Sequence, residues 1–367
     1  MTDTRPGSDM LPEEREQRHI PSTNVGRPAA AGAATGGIAT LEDPTSIASP
    51  DLELTYESGV ELQARSQWAY ARMRFFRHKL AVTSLIILIG FGLLAIFAGQ
   101  IAPYGEDEIP LDDLINSLNK APTLSGWHIF GTDQLGRDYF SRVIYGVQTS
   151  LGVALVVALL STVIGTVIGA VAGFYGGKVD NGLMRFTDLI LTLPGLAVLL
   201  VAAQFFGQGN VSLNLGITTV TIPQPMVIGL ILAFLFWTGI ARIVRGLFLS
   251  LREKEFVEAA KAAGAGDRRI IMRHILPNCV GPIVVNTTLV VAAAILVEAA
   301  LSFLGFGIQP PESSIGKLIA DGQQQGIQTW WLVTFPGLVI TAIALCVNFV
   351  GDGLRDALDP TQRRTRS

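Results

Sequence analysis

Apolar residues along this chain fall into long blocks separated by shorter polar stretches. No Lys, Arg, Asp or Glu occurs between Arg142 and Lys178, or between Asp188 and Arg242. A helical bilayer crossing takes about 20 apolar residues. Six blocks meet that length, near 80–102, 148–174, 183–206, 226–249, 281–306 and 331–351. The uncharged run after Asp188 is too long for one crossing, and its middle is polar, with Gln208, Asn210, Asn214, Thr218, Thr221 and Gln224. It reads as two helices joined by a short loop at 207–225.

Ahead of the first block the pattern is lost. Residues 1–60 mix Pro, Gly, Ala, Thr, Asp and Glu without a period, which predicts a disordered tail. No stretch between Met1 and Thr55 has the apolar core of a cleavable signal peptide. Residues 61–79 then set Trp68, Tyr70, Phe75 and Phe76 among Arg65, Arg72, Arg74, Arg77 and Lys79, the pattern of a basic amphipathic helix lying against membrane lipids.

Composition agrees with the blocks. Of 367 residues, 49% are hydrophobic and 16% charged, against about 25% charged in a soluble domain. The mean hydropathy is +0.44. The expectation is an all-α integral membrane protein with six transmembrane helices. A net charge of -3 gives no reason to expect nucleic acid as a partner. Cys279 and Cys346 lie far apart in apolar surroundings, and His19, His78, His128 and His274 do not cluster, so neither a metal site nor an acid–base set is expected.

Basic residues set the orientation. With the amino terminus inside, the outer loops at 103–147, 207–225 and 307–330 hold only Lys120, Arg137, Arg142 and Lys317, leaving 23 of the 27 Lys and Arg inside. Both termini are therefore expected to be cytoplasmic, the carboxyl-terminal tail being 352–367.

Within the blocks, Gly165, Gly169, Gly173 and Gly177 recur every four residues and predict a smooth helix face for close packing. Pro194 predicts a kink in the third crossing. Ionisable residues at membrane depth are costly and face a cavity or a partner. Glu298 lies eight residues before Phe306, or about 12 Å along the helix; it either lines a substrate path or bonds between helices. Arg185 and Asp188, one turn apart, suggest a local ion pair.

The most informative polar segment is 250–280, between the fourth and fifth crossings. Phe256 to Ala263 is a good helix former, and Gly264 and Gly266 permit a sharp reversal that needs positive φ or close backbone approach. Asp267 is placed to cap a second short helix over Arg268, Arg269, Ile270, Ile271, Met272, Arg273 and His274, which Pro277 would stop before the chain re-enters the membrane. Such a helix is either a knob for a protein socket or a surface helix resting on headgroups.

Glu258-Ala259-Ala260, Gly264 and Leu276-Pro277 resemble the EAA loop of binding-protein-dependent ABC transporter permeases. The usual apolar residue two positions before the Leu is His274 here, and the run Arg273 to Asn278 is similar to the form found in the dipeptide, oligopeptide and nickel permease family. Other segments resemble the C-type subunit of that family: Arg74–Leu80, Ile101–Tyr104, Phe130–Asp138, Glu298–Gly307 and Asn348–Pro360. The resemblance spans about 65–360 and implies a type I ABC importer permease in a prokaryotic cytoplasmic membrane. The implied partners are a homologous six-helix permease, two ATPase subunits and an extracytoplasmic substrate-binding protein.

This chain itself should hold no cofactor, since ATP and Mg belong to the ATPases. Gly131 to Asp138 approximates a phosphate loop but offers Arg137 and Asp138 where Lys and Ser or Thr are needed. It reads either as an element at the cavity mouth or docking surface, or as a structural loop. By resemblance the substrate is a dipeptide or oligopeptide, with nickel chelates or another small solute as the alternative. A proton-driven secondary transporter working through Glu298 is the rival from another class, and it leaves the 258–277 motif unexplained.

Overall fold

In hydrocarbon no water satisfies backbone N–H and C=O groups, so apolar blocks of this length close their hydrogen bonds internally as helices. The computed structural model describes residues 67–109, 118–123, 128–207, 209–214 and 219–358. The tail expected over 1–60, the start of the basic segment at 61–66, and 359–367 lie outside the described residues.

In chain order, α1 (Gln67–Arg77) precedes α2 (Lys79–Ile96) and the short α3 (Ala98–Ile101). Then come α4 (Tyr139–Tyr175), α5 (Gly177–Thr192), α6 (Gly195–Phe206) and an antiparallel hairpin of β1 (Val211–Asn214) and β2 (Thr219–Ile222), with Val211 opposite Ile222. Next, α7 (Gln224–Leu251), α8 (Glu255–Ala262) and α9 (Asp267–Arg269) lead through a π-turn at Ile270–Ile275 into α10 (Leu276–Phe303). The order ends with α11 (Ile315–Gln324) and α12 (Trp331–Leu358). Among the described residues five helices, α2, α4, α7, the rod Asp267–Phe303 and α12, are long and apolar enough to cross a membrane; α5 and α6, bent by 82° at their junction, count as a sixth if the pair is one span.

Several boundaries differ from the sequence expectation. α4 begins at Tyr139 rather than 148, because the Asp138 carboxylate accepts from the Ser141 N–H at 2.8 Å and caps the helix early. The third crossing, expected as one kinked helix over 183–206, is broken. Leu193 is extended, and Pro194 has no N–H with which to continue the ladder. α12 runs to Leu358 instead of stopping at 351, since Val350, Leu354, Ala357 and Leu358 pack on Ala71, Phe75 and Ala81 of α1 and α2. The connections at 207–225 and 307–330 hold the hairpin and α11 respectively.

The core sits where α4, α7, α10 and α12 meet, around Val153, Val157, Leu232, Ile295 and Ile343. The closest approach is α4 on α7. A Cβ added at Gly165 would lie 2.7 Å from the Trp237 carbonyl oxygen, and one at Gly173 would lie 2.6 Å from Phe248 Cβ; Gly169 is tighter still, against the Ala241 carbonyl. Only glycine lets the two backbones come this near. Gly177 does not share that face. Gly176 turns the chain at φ +65°, Gly177 opens α5 at φ +55°, and an added Cβ there meets nothing within 4 Å.

At the end where α4 begins, polar groups close on one another. Asp133 accepts from Arg137 Nε and Arg142 Nη1, both at 2.8 Å, and from the backbone N–H groups of Leu135 and Arg137 at 2.9 Å. Arg142 also donates to Ser313 Oγ at 3.2 Å. Tyr139 donates its hydroxyl to the Leu332 carbonyl at 2.5 Å, and His128 Nδ1 lies 2.9 Å from Asp138 Oδ1. The 131–138 segment thereby ties together the starts of α4, α11 and α12.

Candidate functional site

At the opposite end of α4 and α7 lies the segment 252–277. α7 gives way at Arg252, whose guanidinium donates to the Gly173 carbonyl at 3.1 Å, so it anchors the end of α4 as well. α8 is seated by Val257, buried with Phe248, Ile270, Ile275 and Cys279. It ends in a Schellman turn, Gly264 N–H donating to Lys261 O at 2.9 Å and Ala265 N–H to Ala260 O at 3.0 Å. Gly264 takes φ +78°, and the space around it is open. Of the two reasons the sequence offers for a glycine here, positive φ is the one observed.

Past the turn, Gly266 rather than Asp267 is the capping residue; Asp267 is the first helical residue and its side chain caps nothing. Pro277 does not stop the helix. The π-turn widens the coil, with Leu276 N–H reaching back to Ile271 O, and Pro277 sits in the first turn of α10, so the segment and the fifth crossing form one rod. Wider winding gives the proline ring room that a regular turn denies it.

The three apolar side chains of this short helix divide. Ile270 is buried at 1% exposure, Ile271 is half-buried, and Met272 is 58% exposed. Ile270 does not face outward with Met272; it belongs to the intrachain cluster that mounts the segment, and Ile271 packs against that cluster. Glu258, Ala259, Asp267, Arg268, Arg269 and Arg273 are exposed, His274 and Leu276 half-buried. Among the described residues, none of the five charged ones makes an ion pair.

Between the α5–α6 elbow, α7 and α10 runs an open groove of about 600 Å³. Its walls are apolar, including Leu193, Leu196, Phe236 and Leu289, and its polar lining is Thr238 and Asn286. No ionisable residue lines it.

Glu298 is fully buried and does not reach the groove lining. Its carboxylate accepts from Ser150 of α4 at 3.1 Å and from Ser302 at 2.7 Å. Ser150 in turn accepts from the first N–H of α11, Ile315, at 3.2 Å. The carboxyl is therefore held where α4, α10 and the start of α11 meet.

Asp188 pairs with Arg242 of α7 at 2.6 Å, not with Arg185 one turn away, which is exposed. Asp180 pairs with Arg245, one turn further along α7. Sequence reasoning passed over Arg242, Arg245 and Asp180. The signal was two arginines three apart closing an apolar block, facing a segment with two acids.

A family model for the inner membrane component of binding-protein-dependent transport systems matches residues 165–364. A model for the N-terminal TM domain of oligopeptide transport permease C matches residues 66–122. The oligopeptide transport system permease protein OppC of Haemophilus influenzae is 41% identical over 304 residues, covering 83% of this chain and 92% of its own. OppC of Escherichia coli K12 is 40% identical over 308 residues, covering 84% and 96%. A solved chain of the inward-facing MetNI methionine ABC transporter overlaps 59% of this chain at TM-score 0.45 and 15% identity, too distant to bear on the argument.

Proposed function

Since this chain belongs to the family of binding-protein-dependent transport system inner membrane components, the multi-pass permeases of ABC transporters, we propose that it forms half the translocation path of an ATP-driven importer of dipeptides or oligopeptides. The substrate class is supported by relatives at 40–41% identity that are named oligopeptide permeases. The path runs along the groove beside α5, α6, α7 and α10, whose uncharged walls suit peptides of either sign. A homologous six-helix permease completes it, and an extracytoplasmic binding protein delivers the substrate.

ATP and Mg are held by two partner ATPases, and residues 252–277 dock on one of them. The basic-residue count supports a cytoplasmic location for this segment and both termini. The observation that carries the reading is the division within the short helix. Ile270 and Ile275 are buried in the chain's own core, while Met272 and the charges Asp267, Arg268, Arg269 and Arg273, without an ion pair among the described residues, stand out from it. A loose lipid-surface helix needs no such burial. Glu298 gives the proton-driven rival little support, because its carboxyl oxygens are engaged by Ser150 of α4 and by Ser302 of its own helix.

Crosslinking tests the docking. In the assembled complex, a cysteine in place of Met272 should crosslink to cysteines in the ATPase and be shielded from a soluble thiol reagent. Equal reactivity with and without the ATPase would make the segment a lipid-surface helix.

A further inference from the structure

α5 is joined to its neighbours by a break in the helix at each end. Its first end is a double-glycine joint, with Gly176 and Gly177 both at positive φ, so little side-chain bulk resists rotation there. Its other end is the 82° break at Leu193 and Pro194. Between those joints, α5 is tied to α7 at three places. Asp180 makes two bonds to the Arg245 guanidinium, Asp188 bonds Arg242 at 2.6 Å, and Ile190 packs with Trp237 and Ala241 while Phe186 stacks on Trp237 with ring centroids 6.2 Å apart.

The two ends of this attachment touch different parts of the molecule. Ile190, Leu191 and Leu193 of α5 are wall residues of the groove. Arg242 and Arg245 lie ten and seven residues before Arg252, where α7 turns into the 252–277 segment. Near that end Phe248 of α7 is buried with Val257 of α8 and Ile270 of the short helix. A continuous packed chain thus runs from Ile270 and Val257 through Phe248 to the arginines of α7, across the ion pairs to α5, and on to the groove wall. Asp180–Arg245 is the more shielded link, its side chains 12% and 35% exposed, and Asp188–Arg242 is half exposed at 51% and 50%; charge-assisted hydrogen bonds are directional, so together the two pairs orient α5 on α7 between its two joints.

We infer that α5 is the movable wall of the translocation groove, and that Asp180–Arg245 and Asp188–Arg242 are the positioning residues that make it follow α7 when the 252–277 segment moves. The inference rests on the coupling role proposed for that segment, and adds to it the route by which movement reaches the path.

The test uses the complete complex, with its ATPases and binding protein, reconstituted in proteoliposomes. The readout is peptide taken up per ATP hydrolysed, a ratio that a purely structural loss, lowering both quantities together, does not change. Charge reversal at one partner, Asp188→Arg or Arg242→Asp, should lower that ratio about tenfold. The double reversal, Asp188→Arg with Arg242→Asp, should recover most of it. Where a reversal fails to assemble, Asp180→Asn and Asp188→Asn together remove the links without introducing like charges, and should lower the ratio in the same direction. An unchanged ratio in the asparagine variant, or a double reversal no better than the singles, overturns the inference. Crosslinking from position 272 to the ATPase separates the two levels. If the crosslink forms and these variants transport normally, α5 is not the follower; if it does not form, the coupling reading itself fails.

Discussion

Two clusters of charged residues, one around the start of α4 and one on the short helix at the opposite end of the bundle, are treated in opposite ways. Around the start of α4, Asp133 takes up Arg137 and Arg142, Asp138 takes up Ser141 and His128, and Tyr139 reaches across to α12. At the 252–277 end, Glu258, Asp267, Arg268, Arg269 and Arg273 make no ion pair among the described residues. Buried charges must be paired because their desolvation is otherwise uncompensated. Exposed ones need not be, and the short helix leaves its charges open to solvent. The first cluster is closed within this polypeptide; the second is the surface on which the proposed docking rests.

The contrast breaks most severely at Asp133. Its side chain and that of Arg142 are 5% and 6% exposed, and removing one partner of a buried pair costs about 3–5 kcal/mol. Asp133→Ala should sharply lower the unfolding temperature of the purified protein in detergent. A loss no greater than that from Arg268→Ala would show that the paired end is not the stabilising one.

Next in size is Met272→Glu, which should leave the isolated chain as stable as before and weaken its association with the ATPase. Burial of one such side chain is worth about 1.5–3 kcal/mol, or roughly 10- to 150-fold in Kd, measurable by titrating the ATPase onto the reconstituted permease. Ile270→Glu is the sharpening control. At 1% exposure, it should destabilise the chain itself, so equal behaviour of the two variants would erase the division on which the docking surface rests.

A smaller effect is expected at Gly264. With φ +78° and nothing within 4 Å of an added Cβ, a substitution meets backbone strain rather than a clash, about 1–3 kcal/mol for a branched residue. Gly264→Val should reduce uptake per ATP hydrolysed, and Gly264→Asn, which tolerates this region better, should reduce it less. Equal transport by both would mean that the turn does not need its left-handed residue.

The smallest effect belongs to Glu106 at the paired end, whose carboxylate accepts from the Ser313 N–H. Burial holds this carboxyl above the usual carboxylate range. The folded chain therefore binds the proton more tightly than the unfolded one. Its contribution to stability is fully present below the unfolded pKa and is lost as pH rises through the folded pKa. Comparing unfolding temperatures of wild type and Glu106→Gln from acid to neutral pH should show the wild type losing ground as pH rises. Parallel profiles would remove Glu106 from the ledger of that end.

Much of this was legible along the chain. The apolar blocks identified the crossings because helix formation in hydrocarbon is decided by length and hydropathy alone. The four-residue glycine spacing identified the α4 face because a helix brings such positions onto one side. The Glu258–Pro277 pattern identified the exposed segment because its turn residue and its amphipathic helix are local features. Less was legible where a residue's role depends on what lies across from it. Arg185 and Asp188 are neighbours on one helix, yet Asp188 bonds to Arg242, more than fifty positions away. Gly177 keeps the spacing of its three predecessors, but the chain turns before reaching it. Pro277 carries the usual signal for a helix stop, and a π-turn absorbs it.

What the sequence determined by itself was therefore where the apolar blocks lie and the membership of the family, both properties carried by local pattern. The tertiary structure alone decided that Ile270 faces inward while Met272 faces out, that Glu298 lies between helices rather than on the groove wall, and that α5 hangs between two joints on the arginines of α7. Those outcomes depend on which helix faces pack together. Burial and ion pairing are properties of two surfaces at once, and a single stretch of chain encodes only one of them.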